Sequence, residues 1–428
     1  MNTKIQLKSN NYQSFGGIFY VNDELKRLSF DKVIDTHLGL RSKFAGYQYS
    51  EIIQSLFYLF LCGGDHIEDL STHLNELRSS PSINLPSPDT VLRGIKALSI
   101  PNKSYTNQSK TANYEFNTAD TVNELLLKLL LQTNQLSTGV GYTLDFDHQF
   151  IPTEKYDTKY SYKNARGYFP GIATIGNLIV GVENRDGNTN VRFCQKDTLK
   201  RIFTRLTSNN ITINKARMDC GSYSQDIIEE VDKHTTHFYI RASNYQSLAH
   251  DLKDNDNWEE VEINFEKYTL TSIPFTAFAK DKNYRLVVQR IEHKKDEPSL
   301  FGPTYTHRCI LTNDHDSSKE DIVKFYNQRG ASERNFDEMN NDFGWKHLPC
   351  SFMNQNTVFL LLTAMVKNFY HFIVDKVAKV MEDIKPNYRI KRFIFRFITV
   401  PAKWIKTARM WKLNIYSQKP YDILFENG

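Results

Sequence analysis

Cysteine is sparse in this sequence. Five residues (Cys62, Cys194, Cys220, Cys309, Cys350) are scattered through 428 positions, with no Cys-x-x-Cys pair and an odd total. That spacing argues against a disulfide framework and a cysteine zinc cluster, and it leads to the expectation of a reducing, cytoplasmic setting. Long hydrophobic runs are missing as well. The most apolar stretches, 56–62 and 358–366, fall well short of the roughly 20 residues a membrane span needs, so buried helices are expected and no membrane partner. Residues 1–10 are polar and lack the apolar core of a signal peptide. The histidines His66, His148 and His237 show no metal-ligand spacing. Acid is absent from one long stretch: residues 385–420 hold ten Lys or Arg and no Asp or Glu, although the whole chain is only +5.

What is present begins with ordinary bulk. With 24% charged and 40% hydrophobic residues the composition is that of a globular protein, and the length calls for two to four domains. In the acid-free stretch the cations alternate with apolar and aromatic residues: Lys391, Arg392 and Arg396 flank Phe393-Ile394-Phe395, and Lys403, Lys406 and Arg409 flank Trp404 and Trp411. A folded basic surface facing phosphates suits that pattern better than a loose tail. The same surface argues against a glycoside hydrolase, the other common use of paired carboxylates.

Periodicity divides the chain into six parts. Residues 1–98 read as a helical domain. Helical spacing over 49–62 stops at Gly63-Gly64, a second helix carries Ile67, Leu70, Leu74 and Leu77, and Ser87-Pro88-Asp89 opens a third with a natural cap. Short helices joined this way resemble a DNA-binding helix-turn-helix unit. Residues 99–120, rich in Ser, Thr and Asn, read as a polar linker. From 121 to 250 a helix is followed by a strand over 142–147, two strands (167–175, 178–183) around the hairpin signal Gly176-Asn177, a helix over 198–206, a strand over 211–219, a helix over 224–233 and a strand over 237–241. A hairpin meander followed by βαβ is the pattern of a ribonuclease-H-like α/β core. Residues 251–315 change to alternation and read as a β-rich insertion. Ser317-Ser-Lys-Glu320 is a capping-box signature, opening one helix expected to run through Glu333 toward Phe343. A long apolar helix over 357–380 completes the core part, 316–382, and 383–428 is the basic C-terminal region.

Three acids stand on elements able to aim them at one point. Asp147 closes Gly141-Tyr-Thr-Leu-Asp-Phe-Asp147, Asp219 closes Ala216-Arg-Met-Asp219, and Glu333 ends Tyr326-Asn-Gln-Arg329-Gly-Ala-Ser-Glu333. Converging carboxylates are what hard cations such as Mg²⁺ require, and two ions roughly 4 Å apart activate an attacking oxygen and neutralise a leaving one in phosphodiester chemistry. Asp145 and Asp147 share a strand face, so periodicity does not choose between them. Asp147 lies nearer the carboxyl end, where sites in open sheets form, and is assigned the metal; Asp145 stays as the alternative or as an outer partner. Tyr326, Arg329 and Glu333 fall on one side of a continuous helix, where Arg329 would hold a carboxylate or a phosphate. Trp258, at the front of the insertion, is placed to stack on an unpaired base or to fill a core rim.

At these residues the chain resembles the DDE transposases of bacterial insertion sequences, in the group with a β-rich insertion between the second Asp and the Glu. The carriers are Leu144-Asp-Phe-Asp147, the stretch from Tyr162 to Pro170, Arg217-Met-Asp219-Cys-Gly221-Ser-Tyr223, and Tyr326-x2-Arg329-x3-Glu333, over roughly residues 40–415. The sequence departs at two places: Asn340 stands where a basic residue often lies seven positions after the Glu, and His148-Gln149 follow the first acid where a small hydroxyl residue is common. The resemblance implies a ribonuclease-H-like catalytic core, Asp147, Asp219 and Glu333 as ligands of two Mg²⁺ (or Mn²⁺) ions, and double-stranded DNA as partner, both terminal inverted repeats and target. Cut-and-paste transposition by cleavage and strand transfer is the activity implied, with a homodimer on DNA and a cytoplasmic, nucleoid-associated site of action. The alternatives are a metal-dependent nuclease without strand transfer and a domesticated, inactive DNA-binding protein.

Overall fold

The computed structural model describes residues 5–6, 11–107, 109, 111–243, 248, 252, 255–263, 265–278, 282–293 and 304–426. The expected boundary at 250–251 lies outside them. An eleven-stranded sheet dominates. Its strands in chain order are Lys103–Thr106 (β1), Asn113–Asn117 (β2), Gly141–His148 (β3), Gly171–Ile175 (β4), Leu178–Arg185 (β5), Thr212–Met218 (β6), His237–Ala242 (β7), Glu259–Ile263 (β8), Glu266–Phe275 (β9), Tyr284–His293 (β10) and Thr304–Thr312 (β11). They lie side by side as β1-β2-β5-β4-β3-β6-β7-β11-β10-β9-β8.

The middle of this sheet follows from alternation. In β3, Leu144 and Phe146 enter the core beneath the sheet, so Asp145 and Asp147 face the other way. The hairpin β4–β5 turns at Gly176, whose φ of 61° is open to glycine without strain. Strands β6 and β7 run parallel to β3, and the crossover helices Gln195–Ser208 and Gln225–His234 bury Leu199, Ile202, Phe203, Ile227 and Val231 against the same face as Phe146. The strand expected over 167–175 is split: Arg166–Tyr168 joins a small separate sheet, and β4 begins only after Pro170, which has no N–H to give a ladder.

Two expectations about domain layout change. The stretch 99–120 contains the edge hairpin β1–β2, attached to β5 through Phe116↔Arg185 and anchored by buried Phe116 against Phe193. Its alternating Tyr114 and Phe116 are surrounded by Ser, Thr and Asn, which hid the strand pattern. The insertion strands β8–β11 continue the main sheet, β11 pairing with β7 from Tyr239↔Thr312 to Ala242↔Cys309. Without β11, β7 would expose a row of unpaired backbone groups.

The first 98 residues do not form a core of their own. Ile18, Phe57 and Leu61 share one hydrophobic cluster with Phe359, Phe369 and Ile373 of the helix Met353–Ala378 and with Phe397 and Tyr421. Phe57 and Phe369 meet edge to face at 5.3 Å. Gln13 pairs with Ala402 in the backbone, and a Cβ on Gly17 would lie 2.3 Å from the Phe397 carbonyl oxygen, so the two chain ends interlock. The helix Met353–Ala378 is long and apolar enough to cross a membrane by composition, but 89% of its apolar window is buried within the protein.

The helix expected to run unbroken from 317 toward 343 is interrupted. It starts at Lys319 with Ser318 as cap, accepting from the Asp321 N–H at 3.0 Å, ends at Asn327, tightens into a 3₁₀ turn over Gln328–Gly330 and restarts as Ala331–Asp342.

Candidate active site

Strand register builds the site. Phe146 pairs with Met218, and Met218 with Ile240, across the three parallel strands β3, β6 and β7. The next residue of each, Asp147, Asp219 and Arg241, therefore forms one row at the carboxyl end, about 4.8 Å between neighbouring backbones. Phe146, Met218 and Ile240 point into the core. The row thus faces the opposite side, where the helix Lys319–Asn327 packs through Ile322, Val323 and Tyr326 against Tyr239.

Asp147 is half-buried. One carboxylate oxygen accepts from Arg329 Nη1 at 2.8 Å, the other from the His148 N–H at 2.8 Å. Asp219 caps the short 3₁₀ turn Cys220–Ser222, its Oδ1 accepting from the Gly221 N–H at 3.0 Å. Burial pushes the Asp219 carboxyl above its ordinary value and the negative charge of Asp147 adds to this, while Arg329 opposes it. Arg329 is held more firmly protonated than usual, burial being outweighed chiefly by Asp147. The Tyr326 hydroxyl donates to the Met218 carbonyl oxygen at 3.2 Å, which ties the helix to the strand leading into Asp219. Burial raises the Tyr326 phenol, so it stays a neutral donor.

Asp145 has a different employment. Both of its oxygens accept from Arg217 at 2.7 Å, the pair is almost fully buried, and Arg217 also donates to the Phe325 carbonyl oxygen at 2.8 Å with its guanidinium 4.8 Å from the Phe325 ring. As an alternative metal ligand Asp145 is poorly placed, because each of its oxygens already accepts from Arg217 and the carboxylate is buried. It is a pillar between sheet and helix. His148 turns toward Phe146 and Phe169 and takes a hydrogen bond from Arg185, so it does not crowd Asp147. Burial and Arg185 together keep that imidazole neutral well below its ordinary value.

Glu333 departs from expectation. It is exposed, it has no hydrogen-bond or ion-pair partner among the described residues, and those residues hold no group of three or more His, Cys, Asp and Glu able to bind one metal ion. The helix that leads to Arg329 is broken by the 3₁₀ turn Gln328–Gly330, and Glu333 lies in the first turn of the next helix. Glu333 lies about 6 Å further along the axis than Arg329, by helical rise. The structure brings together Asp147, Asp219, Arg329 and Tyr326, and leaves Glu333 at the rim. Two carboxylates repelling each other across a half-buried gap are a donor set that suits a hard divalent ion; Arg329 now supplies the positive charge.

The basic region forms a hairpin, Ala402–Thr407 with Met410–Ile415, turned at Ala408 and Arg409 with φ of 48° and 69°. Lys403 lies over the Tyr12 ring and Lys406 over Trp411, while Arg392 stacks on Tyr388 at 4.2 Å. Lys391 approaches Asp342 at 3.7 Å. Arg392, Arg396, Lys403, Lys406 and Arg409 have no carboxylate partner among the described residues, whereas Arg389 and Lys419 are consumed by Asp337, Asp342 and Asp383. Trp258 is half-buried with Arg290 over its ring at 4.2 Å, and Arg290 is covered on its other side by Tyr305 at 4.7 Å.

Arg217, Arg192 and Arg241 received no role from the sequence. Arg192 donates to the Cys220 and Gly221 carbonyl oxygens, fixing the turn after Asp219. Arg217 was detectable: it alternates with Met218 onto the Asp145 face.

The family model described as transposase DDE domain group 1 matches residues 2–428. Solved structures that match include a piggyBac transposase synaptic complex with hairpin DNA, at 13% identity over 90% of this chain and 80% of that one, with a TM-score of 0.44. No curated protein matches the sequence.

Proposed function

The chain belongs to the transposase DDE domain family, and on that premise we propose that it cleaves DNA at the ends of a mobile element and joins those ends to target DNA by cut-and-paste. The observation that carries this reading is the Asp147–Asp219 pair, set side by side by the β3–β6 register and bridged electrostatically by Arg329. The order β5-β4-β3-β6-β7, a meander followed by two parallel strands with helical crossovers, supports a ribonuclease-H-like core around the pair.

Asp147 and Asp219 would hold divalent ions, with Glu333 joining from the rim of the helix Ala331–Asp342. Bound Mg²⁺ or Mn²⁺ supplies charge neutralisation at the attacking and leaving oxygens of a phosphodiester. The chain's own residues do the positioning. Arg329 orients Asp147, and its planar fork is free on one side to meet a phosphate oxygen. Tyr326 and the Asp145–Arg217 pillar fix the helix against the sheet, so Arg329 needs no rearrangement as charge develops. The cations Lys391, Arg392, Arg396, Lys403, Lys406 and Arg409 hold the DNA backbone away from the acids, with Trp258 at the edge of the insertion. Pairing two element ends requires a homodimer on DNA.

The test is cleavage and joining of duplex oligonucleotides bearing the element's ends, with Mg²⁺ or Mn²⁺. Asp147→Asn and Asp219→Asn are expected to lose cleavage by a factor on the order of 1,000 or more while still binding DNA; cleavage at the wild-type rate in either variant defeats the reading. Cleavage without joining would identify a nuclease instead. The inactive-protein alternative draws on one observation, the exposure of Glu333. Cleavage by the wild type refutes it, and Glu333→Gln then fixes the place of Glu333: loss of cleavage at an unchanged melting temperature puts Glu333 in the site, and full activity removes it.

A further inference from the structure

Beyond Asp219, the row across the sheet changes sign. Arg241 is next on β7, half-buried, and pairs in register with Ile310 of β11. Two residues along β11, on the same face as Ile310, stands the exposed Arg308, opposite the buried Gln289 of β10. A diagonal cross-strand pair of this kind spans about 7–8 Å, within reach of two long side chains. Among the described residues no carboxylate forms an ion pair with either arginine. The acid in the same cross-strand row as Arg308, Glu259, is paired with Lys319 at 2.6 Å, and Glu266 on the neighbouring strand accepts from the Tyr268 hydroxyl at 2.6 Å. Asp219, Arg241's neighbour in the row, accepts from the Gly221 N–H and feels the charge of Arg329.

A half-buried guanidinium without a counter-charge, facing a second one, is an unfavourable arrangement unless an anion completes it. Burial chiefly lowers the proton affinity of Arg241, Tyr326 opposes this, and the charge of Arg308 lowers it further. Elsewhere on this face the protein neutralises its arginines carefully: Arg217 with Asp145, Arg329 with Asp147. Arg285 on the same face is satisfied by the carbonyl oxygens of Asp314 and Ser317, whereas Arg241 and Arg308 have no such partner among the described residues.

We propose that Arg241 and Arg308 form a seat for a DNA backbone phosphate adjacent to the phosphodiester held at Asp147 and Asp219, so that the insertion directs the strand as it leaves the acids. This deepens the proposed function and rests on it. The guanidinium forks recognise phosphate oxygens by paired N–H donors, without regard to base sequence. The sheet itself sets the distance from the acids, because β6, β7 and β11 are joined by continuous backbone pairing.

The experiment measures binding of a mixed-sequence duplex oligonucleotide over a range of salt, and cleavage alongside it. Each neutralised phosphate contributes about 0.9 to the slope of log K against log salt. The two arginines share one phosphate, so Arg241→Ala with Arg308→Ala is expected to lower the slope by about 0.9, and Arg308→Ala alone by a measurable part of that. Arg308 is exposed, so its variant tests the seat even if the Arg241 variant is unstable, and Arg308→Glu should weaken binding further than Arg308→Ala. A wild-type protein that cleaves DNA while Arg308→Ala and Arg308→Glu keep the wild-type slope overturns the seat and leaves the transposase reading intact. A wild-type protein that neither binds nor cleaves overturns both.

Discussion

Replacing Asp145 by Asn separates a pillar from a metal ligand. The carboxylate is 1% exposed and bonded twice to Arg217, itself 6% exposed. Asparagine keeps the volume and removes the charge, leaving Arg217 buried without a counter-ion. Breaking such a pair by removing one partner costs about 3–5 kcal/mol. Arg217 would keep the Phe325 carbonyl at 2.8 Å and the Phe325 ring, which favours the lower end of that range. With an unfolding entropy of about 2.1 cal/mol/K per residue, the whole chain unfolds with ~0.9 kcal/mol/K, so the melting temperature should fall by roughly 3–6 °C. Thermal unfolding followed by circular dichroism reads this directly. The double variant Asp145→Leu, Arg217→Met should recover most of the loss, since an apolar pair of similar size often replaces a buried ion pair without penalty. An Asp145→Asn protein that melts like wild type but has lost metal-dependent cleavage would refute the pillar and make Asp145 a ligand.

The remaining predictions concern charge at the site and at the hairpin. The Asp219 carboxyl is raised by burial and by Asp147, so the folded protein binds its proton more tightly than the unfolded chain does; its contribution favours folding as pH falls through the folded value and opposes it above. In the metal-free protein the Asp219 carboxyl, followed by NMR, should therefore titrate above its ordinary value. Because Arg329 lowers that value, Arg329→Gln should raise the metal-free titration further and, in metal-dependent cleavage, reduce the rate on the order of 100-fold; an unmoved titration would show that the two are not coupled. Replacing Lys403, Lys406 and Arg409 together by Ala should reduce the salt slope of DNA binding by nearly one per phosphate contact removed, at unchanged melting temperature. An unchanged slope would take the hairpin out of the DNA interface.

The parts of the fold legible in the sequence were those decided by local pattern. Gly176-Asn177 turned the hairpin where expected, and the elements around residues 198–206, 211–219, 224–233 and 237–241 appear within a few residues of their expected bounds. Asp147 and Asp219 were legible because each ends an apolar strand, and strands carry side chains on fixed faces. The break in the helix before Glu333 was not, because the 3₁₀ turn at Gln328–Gly330 is a local tightening that leaves no mark in apolar spacing. The choice between Asp145 and Asp147 needed the position of Arg217, which is a contact between strands. Domain edges failed for a related reason: a polar hairpin at 103–117 and a helical start at 18–98 find their partners far along the chain, and hydropathy reports only that a face is apolar, never what will cover it.

The insertion changes meaning once its register is known. As a separate β-domain on flexible joints, its position relative to Asp147 and Asp219 would vary with the linker. Here β11 takes the edge of β7 from Tyr239 to Ala242, and β10, β9 and β8 follow in antiparallel order. A slip of one residue between β7 and β11 would turn Arg308 and Ile310 to the opposite face and carry Cys309 and Leu311 out of the core, so the hydrophobic alternation locks the register. One line of backbone pairing therefore fixes the distance from the two acids to Arg241 and Arg308. The face reads acid, acid, arginine, arginine across four neighbouring strands. Along such a line a polyanion lies with one part of its backbone against the cations, and a second part is brought to carboxylates that would repel it without a bound cation.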